Sequence, residues 1–408
     1  MIADLHCHYP MHLLVESEEG RLPAGVTASP NVTVDAMVKV SRRPGWLNKL
    51  RAAVLRVAAG MLNFRDDEWR VSLERLERGD VRAAFSVLYD PFAEIDLDEL
   101  PGADPEAGYF GDLIEQIDRV ESDLERIDPR GERHTIVRDA TTLDRAVAER
   151  KVAFLHCVEG GFHLGGDVEE VDAHVAELAR RGVVYITLAH LFWRGVATNA
   201  PALPFMNDAV YNRVFCQPRR HGLSKLGRAA VTAMHRHRVL IDVSHMNQNA
   251  LDDTFALLEE LDGDDDPRDF PVIASHAGYR FGEQAYMLSP ETIGRIAARD
   301  GVIGLILARH QLNENAGVED PESFASTVST IRRHVDEIRR HTPAKTNAHV
   351  GIGSDLDGFI KPTVGGIEYA DDLGKLDRPL REAYGADADG ILAGNALRVV
   401  RRILSARA

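Results

Sequence analysis

The sequence predicts a (β/α)8 barrel, and three observations predict it. Short runs rich in Val, Ile and Leu recur along the 408 residues, amphipathic helical patterns separate them, and polar residues gather where the runs end. Strand–helix alternation implies parallel strands, because each crossover helix carries the chain back to start the next strand in the same direction. The strands read as Ile2–His8, Val81–Tyr89, Val152–Val158, Val183–Leu188, Val239–Val243, Val272–Ser275, Val302–Leu307 and His349–Gly353. Helical patterns fall at Val168–Arg181, Lys225–His237, Ala250–Leu261, Pro290–Arg299 and Ser323–His341. In the last, Ile331, Val335 and Ile338 recur at helical spacing with charged residues between them. Eight such units fit a closed barrel better than an open doubly wound sheet. No GxGxxG follows a strand, so the dinucleotide-binding alternative lacks its phosphate loop.

Residues 1–408 are expected to form one barrel domain, a size that barrels with insertions reach. The segment 31–80 is longer than one connection requires and reads as a helical insertion after the first strand. Within it, Arg51–Leu62 sets Leu55, Val57 and Met61 among arginines, the pattern of a helix packed on the barrel's outside. Gly390–Leu404 reads as a C-terminal helix closing the barrel. The Asp-rich turn at 263–269 lacks the spacing and terminal Glu of a calcium loop.

Composition excludes several function classes. The net charge of −16 argues against non-specific binding to nucleic acid or to an anionic membrane, both of which need basic patches. Cys7, Cys157 and Cys216 are an odd number without CxxC spacing, so a disulfide framework is not expected and a reducing compartment fits. The N-terminal residues enter a strand pattern without a basic segment and an apolar stretch, and the apolar segments carry arginines. The expectation is a cytoplasmic protein without a membrane partner.

In a β/α barrel, chemistry sits at the C-terminal ends of the strands. The first strand ends in Asp4-Leu5-His6-Cys7-His8, and residues two apart on a strand point the same way, so His6 and His8 can both face the axis. Cys7 then faces the helix layer. The third strand ends in His156-Cys157-Val158-Glu159-Gly160-Gly161, and the fourth in Thr187-Leu188-Ala189-His190. His245 follows the fifth, His276 the sixth, and Asp355 and Asp357 the eighth. Any one of these could be a cap or a hydrogen-bonded core residue. Together they form a donor set for metal: neutral imidazole and carboxylate are good zinc ligands. Four histidines and one shared carboxylate suffice for two ions about 3.5–4 Å apart. No lysine ends the fourth strand, which leaves Glu159 as the natural bridge. Gly160 and Gly161 are expected to allow a tight turn beside the metals.

The motifs DLHCHYP, CVEGG, YITLAH, GLSKLGRAAV followed by VLIDVSH, PVIASH and VGIGSDLDG stand in the order found in membrane (renal) dipeptidases of the amidohydrolase superfamily. The chain resembles that family over nearly its whole length. The resemblance implies a zinc-dependent hydrolase with two Zn2+ ions. His6 and His8 would bind one ion, His245 and His276 the other, and Glu159 would bridge them. His190 would contact the substrate carbonyl, and Asp355 would act as the acid/base toward a metal-bridging hydroxide. A homodimer is implied by the resemblance alone. Two departures stand out. The family's first motif usually reads His-x-Asp, where this chain has His8. The arginine that holds a dipeptide's free carboxylate is replaced, on alignment at Pro290, by Met287. Arg280 is the nearest substitute for substrate binding, with Arg194 and Arg309 at other strand exits. A dipeptide is thus the expected substrate. The alternatives are another bond, such as an N-acyl amino acid, lactone or phosphoester, and a non-catalytic metal-binding protein. Asp355 and Glu159 together argue against the last, since a structural zinc site closes with four ligands and leaves no open position.

Overall fold

The computed structural model describes residues 1–13, 68–94, 105–203, 206–215, 217–358, 360 and 362–407. The inserted helix expected at Arg51–Leu62 lies outside them. Among the described residues, nine parallel strands form one sheet: β1 (Ile2–Cys7), β2 (Val81–Leu88), β3 (His134–Ile136), β4 (Val152–Glu159), β5 (Tyr185–Thr187), β6 (Leu240–Asp242), β7 (Val272–Ala277), β8 (Val302–Leu305) and β9 (Val350–Ile352). The order runs β2-β1-β9-β8-β7-β6-β5-β4-β3, and an additional β2–β4 pairing, Ala83 to Leu88 against Ala153 to Val158, closes the ring. Eight strands therefore make the barrel wall. The ninth, β3, is a short addition that pairs with Val152 to Phe154 of β4, before β5 joins that strand at Val158. The sequence reading had no signal for it.

The strands are buried along their length, β1 and β4 at every residue, as a parallel sheet covered by helices requires. Helices begin on side-chain caps: Ser224 before Lys225–Arg236, Asn247 before Gln248–Asp262, Ser289 before Pro290–Ala298, and Ser323 before Phe324–His341. Each cap oxygen accepts from a backbone N–H that the first turn would leave unpaired.

Several helices end alike. Arg150, Arg238 and Asp300 take positive φ, as does Gly182, and the next residue's N–H reaches back five residues. These bonds run from Lys151 to Ala146, Val183 to Leu178, Val239 to Met234 and Gly301 to Ile296. This left-handed stop turns each helix into the following strand and sets the strand's register. The C-terminal segment opens with a π-helical turn, Gly390–Gly394, before the α-helix Asn395–Ser405. The Asn395 amide donates to the carbonyls of Asn347 and Val350 and so fixes this end against β9. Among the described residues, no helix is long and apolar enough to cross a membrane.

Candidate metal centre

The expected strand-end residues meet at one place. His6, His8, Glu159, His190, His245, His276 and Asp355 are all buried, the most open exposing 7% of its surface. The His6 and His8 Nε2 atoms lie 3.2 Å apart, and those of His245 and His276 lie 2.9 Å apart. Between the pairs stands the Glu159 carboxylate. Its Oε1 is 3.4 Å from His6, 3.5 Å from His245 and 3.4 Å from His276, all at Nε2. Its Oε2 is 3.3 Å from His8 Nε2 and 3.4 Å from His190 Nε2. Asp355 Oδ1 closes the His6–His8 side, 3.7 Å and 3.2 Å from their Nε2 atoms.

The backbone bends sharply to make this arrangement. His245 and Asp355 both adopt left-handed φ, +64° and +58°, a conformation that non-glycine residues rarely take and that clusters at functional sites. Gly160 leaves β4 at φ +97°, where a Cβ would strike the Phe162 ring at 2.3 Å. Gly358 has no alternative either: a Cβ there would lie 1.9 Å from Asp355 Oδ1 and 2.7 Å from His8 Nε2. Asp357 accepts from the backbone N–H groups of Arg70 and Val71 and so ties the chain before β2 to the end of β9.

The electrostatics follow from burial around one anion. Burial would raise the Glu159 carboxyl, but His190 and His6 outweigh it and hold the group well below the carboxylate range. Burial, abetted by neighbouring imidazoles, pushes His245 and His276 well down, so both are neutral and can ligate. For His8, Asp355 and Glu159 outweigh burial and push its pKa up to about 10. Burial pushes Asp355 up, against the pull of His8 and His6.

These residues fit metal ions on several counts. Among the described residues, Glu159 Oε1 is buried without a hydrogen-bond partner although three imidazole nitrogens face it. A tetrahedral zinc with bonds of ~2.0–2.1 Å sets its ligand atoms ~3.4 Å apart, close to the spacings seen. His6, His8 and Asp355 form one group able to hold an ion, and Glu159, His190 and His245 another. The donors are imidazole and carboxylate, with no sulfur. Cys7 and Cys157 are buried free thiols, and Cys7 Sγ lies 3.6 Å from the Phe85 carbonyl of β2.

Three supporting residues had gone unread in the sequence. Glu94, on the short helix Pro91–Glu94 after β2, accepts from His190 Nδ1 at 2.5 Å, from the Tyr89 hydroxyl at 2.7 Å and from the Phe192 N–H at 3.1 Å. With Glu159 it overcomes burial and raises the His190 pKa. Asp242 and Ser275, on β6 and β7, stand behind His6 and His276.

The arginines proposed for substrate are otherwise engaged. Arg280 Nε donates to the Met287 carbonyl at 2.6 Å and its Nη2 to that of Ala285 at 2.9 Å. Arg194 donates to the carbonyls of Ala93 and Glu94 and to the Tyr109 hydroxyl. Arg309 pairs with Glu322 and donates to the Thr363 carbonyl. No hydrogen bond or ion pair among the described residues joins any of them to the histidine cluster. Met287 is buried in a small apolar group with Ala200, Tyr286, Ile306, Ala308 and Ile360. Tyr286 links this group to the site: its ring centroid is 4.9 Å from that of His245, and its hydroxyl donates to the His276 carbonyl.

Comparison with known proteins places the chain. It is 26% identical over 339 residues to dipeptidase 3 of Rattus norvegicus, an alignment covering 83% of this chain and 59% of the rat protein. It is 26% identical over 367 residues to dipeptidase tcpJ of Claviceps purpurea, covering 88% of this chain and 75% of that one. The chain thus spans about three-fifths of the rat relative's length. Among solved structures, a metallo peptidase from Rhodobacter sphaeroides, liganded with a phosphinate mimic of the dipeptide L-Ala-D-Ala, superposes with a TM-score of 0.63 at 19% identity. That match covers 88% of this chain and 97% of the other. A second metallopeptidase, described as the dipeptidase AC, gives a TM-score of 0.61 at 21% identity over 88% and 96% of the two chains. The family model for membrane dipeptidases matches residues 45–408. With its barrel and its strand-end histidines, the chain belongs to the membrane dipeptidase family, peptidase family M19.

Proposed function

We propose that this chain is a zinc-dependent dipeptidase. The observation that carries the proposal is the convergence of five imidazole Nε2 atoms on a single buried carboxylate. On this reading His6 and His8 hold one zinc, His245 and His276 the other, and Glu159 lies between them. Two zinc ions, when bound, supply an acidified bridging water and a Lewis acid for an amide carbonyl. The protein's own groups do the rest. His190, its Nδ1–H fixed by Glu94, presents Nε2 toward the substrate oxygen, where a preorganised donor favours developing negative charge. Asp355, whose pKa burial raises, takes the proton of the attacking water and returns it to the departing amine. His8 in place of the family's carboxylate removes one negative charge from the first metal position. A cytoplasmic location and a homodimer belong to the same proposal and rest on the sequence and on the resemblance.

His8 makes metal loading pH-dependent. In the metal-free protein its pKa of about 10 lies above the ordinary 6.5, so it is protonated at pH 7. Its charged form stabilises the metal-free protein at neutral pH, and that contribution is lost as pH rises toward 10. A ligand imidazole must give up this proton. Zinc titration at pH 7 should therefore release about one proton from His8. The calorimetric heat should differ between buffers of different ionisation enthalpy, and affinity should rise between pH 6 and 9. Heats that are identical in all buffers would remove His8 from the ligand set.

Hydrolysis assays with zinc-loaded protein test the substrate, using dipeptides with L- and D-configured C-terminal residues, N-acyl amino acids and a chelated control. Chelator-sensitive cleavage of dipeptides supports the proposal. The apolar group around Met287 favours a second reading, in which the part of the substrate beyond the scissile bond carries no carboxylate. Replacing Arg280 separates the two. If Arg280 anchors a carboxylate, Arg280→Leu should raise KM for dipeptides ~10-fold or more, as loss of a charge-assisted hydrogen bond would, with kcat little changed. An unchanged KM, or faster turnover of N-acyl amides than of dipeptides, favours the second reading.

A further inference from the structure

The hydroxyl of Ser275 touches a histidine from each of the two proposed metal positions. Its Oγ lies 2.9 Å from His6 Nδ1 and 2.7 Å from His276 Nδ1. The direction of these bonds follows from counting hydrogens. Ser275 Oγ is also 2.6 Å from Asp242 Oδ2, and a carboxylate has no hydrogen to give, so the serine hydrogen points to Asp242. The other contacts of Asp242 are donors as well: the Thr187 hydroxyl, the Ser244 N–H and hydroxyl, and the Ser275 N–H. With its one hydrogen used, Ser275 can only accept from the two imidazoles. Both His6 and His276 must then carry a proton on Nδ1, so that in the neutral ring, the form that binds metal, Nε2 is the bare nitrogen and faces Glu159. Tyr185 behaves the same way toward His6. Its hydroxyl is 2.9 Å from His6 Nδ1 and donates to the Leu5 carbonyl, so it too accepts from the ring.

We infer that Ser275, polarised by Asp242, is a positioning residue shared by both metal positions, fixing the tautomer of one ligand histidine in each. The other member of each pair lacks such support: among the described residues, the Nδ1 atoms of His8 and His245 are buried without a hydrogen-bond partner. Tautomer control in the two positions therefore runs through one side chain, and loss of that side chain should weaken both. The effect is unequal. His6 keeps Tyr185 when the serine is gone, whereas His276 Nδ1 has no second acceptor among the described residues. The inference rests on the binuclear reading above for its metal consequence, but its tautomer consequence does not.

The test is Ser275→Ala, with Tyr185→Phe alongside, read in two ways. Long-range 15N–1H spectra of the metal-free proteins report which ring nitrogen is protonated. The wild type should show His6 and His276 as Nδ1–H, and Ser275→Ala should move His276 to the other tautomer or a mixture. Zinc titration against a chromophoric chelator then gives stepwise affinities. Partners behind a ligand histidine are worth 10–100-fold in metal affinity. Ser275→Ala should lose about that much in one step and less in the other, and Tyr185→Phe should weaken one step only. Should Ser275→Ala fail to fold, Ser275→Thr keeps the acceptor oxygen and should keep both tautomers and both steps, while Asp242→Asn should disturb them. Unchanged tautomers in Ser275→Ala or Asp242→Asn overturn the inference. A wild type that binds no zinc yet shows both Nδ1–H tautomers overturns the binuclear reading and leaves the positioning role standing.

Discussion

Asp355→Asn should reduce dipeptide turnover by ~10²–10⁴-fold, the range a positioned general acid–base supplies, while both zinc ions remain bound. Asparagine preserves the shape and one acceptor oxygen of the side chain but cannot take a proton. The chain around Asp355 holds it closely. Asp355 sits at φ +58°, its N–H donates to the His6 carbonyl, and Gly358 leaves space beside its Oδ1. The same Oδ1 lies 3.2 Å from His8 Nε2, which also makes it a candidate ligand. Metal analysis of the variant separates these roles. Lost turnover with two zinc ions retained identifies a proton carrier; lost turnover with one zinc missing identifies a ligand. Unchanged turnover contradicts both.

The second large effect is at Glu159. Glu159→Gln keeps the volume and removes the one negative charge that five imidazoles share. Because this carboxyl is held well below its ordinary range, chiefly by His190 and His6 against burial, its interactions stabilise the fold at neutral pH. They are full above the ordinary value of 4.5 and fade as pH falls below it toward the lowered pKa. The variant should bind zinc at least ~100-fold more weakly at both positions, beyond what losing a supporting partner costs, and activity should fall with occupancy. Retention of both ions at wild-type affinity would mean that Glu159 does not lie between them.

Much of the fold was legible in the sequence because strand and helix patterns alternate with so little interruption. The helices expected at Lys225–His237 and Pro290–Arg299 begin at the observed residue, where Ser224 and Ser289 cap them, and end within a residue of those observed. Three-residue β3 was not legible: His134-Thr135-Ile136 has no apolar run and pairs only with the first half of β4. The clustered site residues were legible because barrel geometry turns position along a strand into position in space. His6 and His8 needed only period-two alternation, and Glu159 only the end of β4.

What escaped was set by tertiary contacts. Glu94 lies on a short helix past the end of β2, and nothing in its spacing points to His190, 96 residues away. Asp242 and Ser275 did carry a signal, as polar residues inside buried strands, but their role depends on a hydrogen-bond direction that only the geometry gives. The arginines were the least readable. Long side chains at strand exits can turn toward the site or the loop, and Arg280 turns to the carbonyls of residues 285 and 287.

The most direct test of the account is a zinc titration of chelator-stripped protein, following bound metal and dipeptide hydrolysis together. Two equivalents should bind per chain, with activity that completes only as the second position fills. Cleavage that persists in the stripped protein, or full activity at a single equivalent, would contradict it.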